Sequence, residues 1–345
     1  MTTTSSGRRP PSMSDVARHA GVALGTVSNV LNAPEKVSER TRRRVHQAVE
    51  DLGFVRNQVA RTLAAGSADL FGFVIVDIGN SFFVDIARGA EQSAVENQYK
   101  LLLANSDVDL VRQNLYLDLF NESRVNGILL APLDAPLDAV ARVRDRGCPV
   151  VLVNWPGEPG ESCGVTVDEE YGGYLATQHL LQQGRRRILF AGGPLSLTAV
   201  RERYEGTKRA IAESNVDAHL ELIETTRLTV PAGLDVGREL VSRPVGERPD
   251  GIFAAADALA AGCAQALIYA GVSVAKEVAI IGYDDNHFTA DHVVPISTVG
   301  QPGHEMGKIA LEMLIDEVKN PDHLHRTVVL QPNLLARAST MSEFR

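Results

Sequence analysis

Residues 12–32, SMSDVARHAGVALGTVSNVLN, leave the start of the chain few ways to fold. Ser12 with Asp15 three positions on is the S-x-x-D form of a capping box, which satisfies backbone donors at a helix start. Val16, Ala17 and Ala20 then give a short apolar face, and Gly21 supplies a turn residue that tolerates positive φ. A second short helix follows, with Val27, Val30 and Leu31 at i, i+3 and i+4 turned inward. Gly25, Ser28, Asn29 and Asn32 fall on its opposite side as a small polar face. Two short helices about a tight glycine turn form a helix-turn-helix, whose second helix is sized for a DNA major groove. The same pattern also describes an αα-hairpin in a helical cap.

The next segment favours the first reading. Ser38 caps a third helix on which Val45, Ala48, Val49 and Leu52 share one face, and Gly53 stops it. Its start carries Arg40, Arg42, Arg43 and Arg44, a cluster suited to phosphate contacts. Residues 1–66 hold 10 Lys and Arg against 5 Asp and Glu, whereas the remaining 279 residues hold 24 against 38. A basic head on an acidic body fits a head that meets a polyanion and a body that does not.

That body has its own grammar. Apolar runs LFGFVIV, KLLLAN, GILLAP and PVVLVN read as buried parallel strands, separated by helices near 82–98, 109–123 and 136–146. The alternation returns with RRILFAG, HLELIE, GIFAAA and VAIIGYD and helices near 169–183, 199–214, 232–243 and 257–270. A further helix is expected over 303–319, and TVVLQPNLLARAS reads as one final strand. Two βα sets of similar size imply two doubly wound parallel sheets, one per lobe, with a cleft between. Ligands bind such sheets at the carboxyl ends of the strands. Those ends carry Asp77, Asn105, Ser106, Asn154, Trp155, Gly192, Gly193, Asp257, Asp284 and Asp285. Carboxylates, amides and one aromatic platform suit a polyhydroxylated ligand. Strand-end Asp and Asn also cap helices, and for Asp257 capping is a complete explanation.

Several ordered segments together resemble the LacI/GalR family of bacterial transcription regulators. DVARHAGVALGTVSNVLN and VSERTRRRVHQAVEDLGFVRNQVARTLAAG are similar to its headpiece and hinge. GNSFFVDIARGAEQSA, LLLANSD, RVNGILLAP, VDEEYGGYLATQHLLQQGRRRILFAGGP, RERYEGTKRAI, VAIIGYDD, STVGQP and LLARAST extend the likeness to the C-terminus. The resemblance implies a helix-turn-helix headpiece on a two-lobed body of the periplasmic-binding-protein type, acting as a homodimer on a near-palindromic operator. It implies base reading by Leu24 and Gly25, with Thr26, Ser28 and Asn29 following. Ser12, Asn32 and Arg42 are the remaining headpiece candidates. In the hinge, Asn57 caps a short helix striped by Val59, Ala60, Leu63 and Ala64, and Leu63 matches the leucine that wedges into the minor groove. In the cleft, Arg203 matches a position that grips ligand hydroxyls or a carboxylate, its alternative being an interdomain ion pair with an acidic cleft residue; Asp284 matches the ligand-contacting acid, and Gln301 a crossover residue beside the ligand. Phe82 and Phe83 match the aromatic pair that closes the cleft, although core packing explains at least one of them equally well, and Asp77, Asn154 and Trp155 complete the expected ligand set. Ala256, Asn154, Ser81 and Arg56 depart from the residues many members carry there. Fewer charged acceptors leave the effector class open, with a monosaccharide first.

The expected organisation is a disordered tail over 1–11, a headpiece over 12–56, a hinge helix over 57–66 and an effector-binding and dimerisation domain over 68–345. Within that domain the resemblance places the N-lobe at about 68–166 and 299–327 and the C-lobe at about 168–297 and 328–340. No G-x-S-x-G elbow, Walker A motif or HExxH stands in the sequence, so no catalytic residue and no cofactor are expected. Cys148, Cys163 and Cys263 are scattered, without C-x-x-C or nearby His spacing, and read as buried structural thiols with no metal. MTTTSSGRRPPS lacks a hydrophobic signal core and no apolar run approaches a membrane span, so the expected place is the cytoplasm. The expected function is ligand-responsive, operator-specific repression; the rival is a solute-binding protein, which shares the body but not the basic head.

Overall fold

The computed structural model describes residues 11–54, 69–133 and 137–341. The hinge positions Asn57, Ala60 and Leu63 lie outside the described residues, as do residues 1–10. The chain divides into two compact units, residues 1–66 and 67–345.

In the first unit, α1 spans Met13–Ala20, α2 Leu24–Asn32 and α3 Glu39–Leu52. The capping box forms: the Asp15 amide donates to Ser12 Oγ at 3.3 Å, and the Ser12 amide donates to Asp15 Oδ2 at 2.9 Å. Gly21 sits at φ 63° and ends α1 in the left-handed conformation a side chain would disfavour. Val16, Ala17, Ala20, Val27, Val30, Val45 and Ala48 are buried together, closed at the base by Phe54. Of the arginines at the start of α3, Arg44 alone departs from the expected phosphate-facing role. Arg44 turns inward and donates to the Ala20 carbonyl at 2.5 Å, tying α3 to the end of α1. Arg42 and Arg43 both pair with Glu39.

In the second unit, the N-lobe strands are β1 Leu70–Ile75, β2 Lys100–Asn105, β3 Ile128–Leu130, β4 Val150–Val153 and β5 Gly164–Val167. Helices α4 Ser81–Glu96, α5 Leu110–Glu122 and α6 Asp138–Asp145 connect them. The C-lobe follows with α7 Glu169–Gln182, β6 Arg187–Gly192, α8 Thr198–Glu213, β7 His219–Glu224 and α9 Val230–Ser242. It continues through β8 Gly251–Ala254, α10 Asp257–Tyr269, β9 Ala279–Asp284, the short α11 His287–Ala290 and β10 Ser297–Gly300. Helix α12 Gly303–Lys319 returns to the N-lobe, packing on α4, before β11 Thr327–Leu330 and β12 Asn333–Leu335.

The N-lobe sheet runs β11-β5-β4-β3-β1-β2, all parallel, and the C-lobe sheet runs β12-β10-β9-β8-β6-β7. Each sheet has apolar helices on both faces, giving two core layers per lobe. Three expectations are corrected here. The tail TVVLQPNLLARAS is two strands, because the chain changes lobes at Gln331-Pro332: β11 pairs with β5, whereas β12 pairs antiparallel with β10. The return to the N-lobe expected between about 297 and 299 also shifts, since β10 pairs with β9 through Gly300 and belongs wholly to the C-lobe. KLLLAN is not a buried strand. As β2 it forms the sheet edge, leaving Leu102 46% and Leu103 43% exposed.

Candidate effector cleft and base-reading helix

Arg203 on α8 is 5% exposed and organises the C-lobe side of the cleft. Its Nε donates to Glu169 Oε2 at 2.8 Å, Nη2 to Glu169 Oε1 at 3.0 Å, and Nη1 to the Ala255 carbonyl at 2.6 Å. The guanidinium lies 3.6 Å over the Tyr283 ring, and Nη2 stands 3.7 Å from Asp284 Oδ1. A bidentate carboxylate, a carbonyl and an aromatic face are what keep a buried guanidinium tolerable. Burial opposes its charge, but Glu169, Tyr283 and Asp284 more than offset this and hold its pKa above the ordinary arginine value. Two adjacent glycines allow the approach. A Cβ on Gly172 would stand 2.0 Å from Tyr283 Oη, and one on Gly173 would stand 2.0 Å from the Arg203 carbonyl oxygen.

Asp284, the last residue of β9, joins the lobes. Its Oδ2 accepts from Asn80 Nδ2 at 3.0 Å and its Oδ1 from Gln301 Nε2 at 2.8 Å. Asn80 also caps α4, where its Oδ1 accepts from the Phe82 amide. Beside it, Ser81 donates from both its amide and its hydroxyl to Asn286 Oδ1, each at 2.8 Å. Burial pushes the Asp284 carboxyl up, and the Arg203 charge pulls against that. Asp257 is pushed well up, first by burial and then by the Asp284 charge.

The capping explanation of Asp257 does not hold. Ala256 occupies the cap position of α10, and the Asp257 carboxylate instead accepts from the Asn286 amide at 2.6 Å and from Thr298 Oγ1 at 2.7 Å. It therefore braces the turn that carries Asp284, Asp285 and Asn286.

The expected cleft residues divide into two groups. Arg203, Asp284 and Gln301 come together. Asp77 and Asn154 lie at the carboxyl ends of β1 and β4, where Asp77 Oδ1 accepts from the Gly79 amide and Asn154 takes φ 56°. Trp155 packs partly buried against the outer N-lobe core. Phe82 and Phe83, 4% and 8% exposed, are core residues of the N-lobe, so neither ring is left open for a ligand. Glu169, Tyr283, Asn80 and Asn286 were missed. The acidic pair in VDEEYGG was the available signal for Glu169, but acidic residues in a first helical turn have an ordinary local explanation.

The cluster can recognise hydroxyls. Asp284 presents a desolvated carboxylate, and Gln301 Oε1 is a buried acceptor with no hydrogen-bond partner among the described residues. On the headpiece, Leu24 begins α2 at 50% exposure, and a side chain at Gly25 would meet open space. Asn29 is exposed, Thr26 and Ser28 are half-buried, and Asn32 closes the helix. Ser12 is spent on its cap, with its hydroxyl donating to Asp15 Oδ2 at 2.6 Å.

Comparison with known proteins shows the family. Residues 12–57 match the profile of bacterial regulatory proteins of the lacI family, and residues 177–340 that of a periplasmic binding protein-like domain. The ribose operon repressor of Escherichia coli (strain K12) is 33% identical over 329 residues, covering 95% of this chain and 99% of the relative. The PurR transcriptional repressor of Photobacterium profundum is 31% identical, covering 94% and 97%. A LacI-family regulator from Enterococcus faecium, solved with bound ribose, matches with a TM-score of 0.71 at 28% identity, over 79% of this chain and 98% of that one. With a capped helix-turn-helix at its start, two mostly parallel sheets later in the sequence and a relative at this identity covered almost end to end, the chain belongs to the LacI family of bacterial regulatory proteins.

Proposed function

We propose that this protein is a transcriptional repressor that binds a near-palindromic operator as a homodimer and is controlled by a small sugar, a pentose first, held between its lobes. The observation that carries the effector reading is the bridge from Asp284 to Asn80 and Gln301 beside the buried Arg203. A sugar offers vicinal hydroxyls that could take over those hydrogen bonds, and the ribose-bound relative supports that class. The PurR relative makes purines the class to test against it.

Dimerisation is supported by an apolar face on the N-lobe. Edge strand β2 and helix α5 expose Leu102, Leu103, Leu110, Val111, Leu115 and Leu119. A patch of this kind on a soluble protein marks an interaction surface, and a self-complementary one builds a two-fold dimer. Asn29 suits bidentate pairing with adenine, and Leu24 suits a thymine methyl. Leu63, in the hinge, is assigned to the minor-groove wedge. No described helix is long and apolar enough to cross a membrane. The assigned place of action is the cytoplasm, with the DNA, and regulation requires no turnover of the effector.

Selection from a random duplex pool tests the DNA half and should return a near-palindrome. A thermal-shift screen of the full chain against pentoses, hexoses, phosphosugars, nucleosides and purine bases tests the effector half. A pentose should raise the melting temperature; a shift with purines alone would replace the sugar reading.

A further inference from the structure

Cys163 is fully buried at the start of β5, and the fold brings two histidines from far along the chain against it. His323 Nε2 lies 3.1 Å from Cys163 Sγ and His325 Nδ1 lies 3.8 Å from it, with all three donor atoms within 4.8 Å of one another. This reverses the sequence reading of Cys163 as a thiol without histidine neighbours. β5 and β11 are adjacent parallel strands in register at Gly164 and Thr327, so the segment before β11 must run past the residue before β5. Leu324, between the histidines, is 80% exposed, while the His323 side chain is 6% exposed.

We propose that Cys163, His323 and His325 form a zinc site in which a solvent oxygen completes four-coordination. Tetrahedral zinc takes Zn–S of about 2.3 Å and Zn–N of about 2.0–2.1 Å, which sets S···N near 3.5 Å. The observed 3.1 and 3.8 Å separations straddle that value. One thiolate and two imidazoles also form a donor set that favours zinc over calcium or magnesium, which take oxygen.

The surroundings are those of a ligand set. His323 Nδ1 stands 2.6 Å from Asp316 Oδ2, so the carboxylate holds the proton on Nδ1 and leaves the Nε2 lone pair facing the sulfur. A carboxylate behind a histidine ligand fixes its tautomer and ring orientation in this way. Glu317 lies alongside His325 through Arg144, which donates to Glu317 Oε1 at 2.9 Å and stands 3.4 Å from His325 Nε2. With zinc on Nδ1, His325 Nε2 carries the proton, so the donor-only Arg144 guanidinium must turn from Nε2 toward the buried Glu317 carboxylate, whose Oε2 has no hydrogen-bond partner among the described residues. The Arg326 amide points at the sulfur from 3.4 Å and would help hold a thiolate. On binding, the Cys163 S–H bond breaks, the sulfur pair forms the Zn–S bond and one proton leaves to solvent. The bound ion would fasten the segment before edge strand β11 to the start of β5.

The test uses the full chain, stripped by a chelator and titrated with zinc against a chromophoric competitor, with cobalt as the optical probe. The expected result is one equivalent of zinc per chain and a higher melting temperature. Cobalt should give the visible bands of a tetrahedral ion and a sulfur-to-metal charge-transfer band. Cys163→Ser should abolish the charge-transfer band, His325→Gln should remove stoichiometric binding, and Asp316→Asn should weaken zinc by about 10–100-fold. Cys148→Ser, on the other face of the sheet, should change nothing. If Cys163→Ser does not fold, the half-exposed His325→Gln decides. Absence of stoichiometric binding in the wild type, or binding unchanged in His325→Gln, would overturn the site.

Discussion

Asp284 of the C-lobe accepts a 3.0 Å hydrogen bond from Asn80 of the N-lobe, and the same carboxylate lies 3.7 Å from the buried guanidinium of Arg203. One side chain thus touches both the other lobe and the buried charge. A ligand that replaces Asn80 or Gln301 at this carboxylate changes what holds the lobes together.

Asp284→Ala should therefore weaken effector binding by about 10–100-fold, the loss expected from removing a charged hydrogen-bond acceptor worth about 1.5–3 kcal/mol. Operator binding without effector should survive, with its salt dependence intact. Calorimetry with the effector and fluorescence anisotropy with the operator separate the two.

Glu169→Ala should be far more damaging to stability. It leaves the buried Arg203 charge without its bidentate partner, and breaking one side of such a pair costs about 3–5 kcal/mol. Urea unfolding of the full chain reads this directly. A loss below about 1 kcal/mol, the range of exposed pairs, would show that solvent reaches Arg203.

These residues mark the limit of what local sequence patterns reveal. The Ser12–Asp15 box, the glycine stop at Gly21 and the apolar strand runs are set by neighbours within a few positions, and all were legible. Arg203 could be singled out by resemblance, but Glu169 lies 34 positions away on another helix, and only packing brings them together. Cys163 and His323 are 160 positions apart, joined by the β5–β11 register. β12 was hidden because its reversal depends on one lobe crossover at Gln331-Pro332, which alternation alone does not mark. Phe82 and Phe83 show the converse: an aromatic pair at a cleft position belongs to the core once α4 is packed.

Buried Asp257 should give stability a particular pH slope. Its folded pKa lies well above the ordinary aspartate value, so between the two the native state holds a proton that the unfolded chain has released. Its contribution must fall as pH rises from about 3.9 toward that raised value. Asp257→Asn should flatten this part of the wild-type profile, measured as urea midpoints across pH. An unchanged slope would mean that the Asn286 amide and Thr298 hydroxyl already keep the carboxylate ionised.

Asn29→Ala should lower affinity for the selected operator by about 1–3 kcal/mol, the discrimination carried by one bidentate base contact. Affinity for random duplex should barely change. An equal loss on both DNAs would make Asn29 a backbone contact.

The most direct test of effector control is a reciprocal titration on the wild-type protein with the sugar found in the screen. Operator affinity is measured with and without saturating sugar, and sugar affinity with and without saturating operator. Linkage through the cleft requires the two ratios to be equal and to differ from one, because binding free energies couple symmetrically. A sugar that binds the cleft while leaving operator affinity unchanged would contradict effector control.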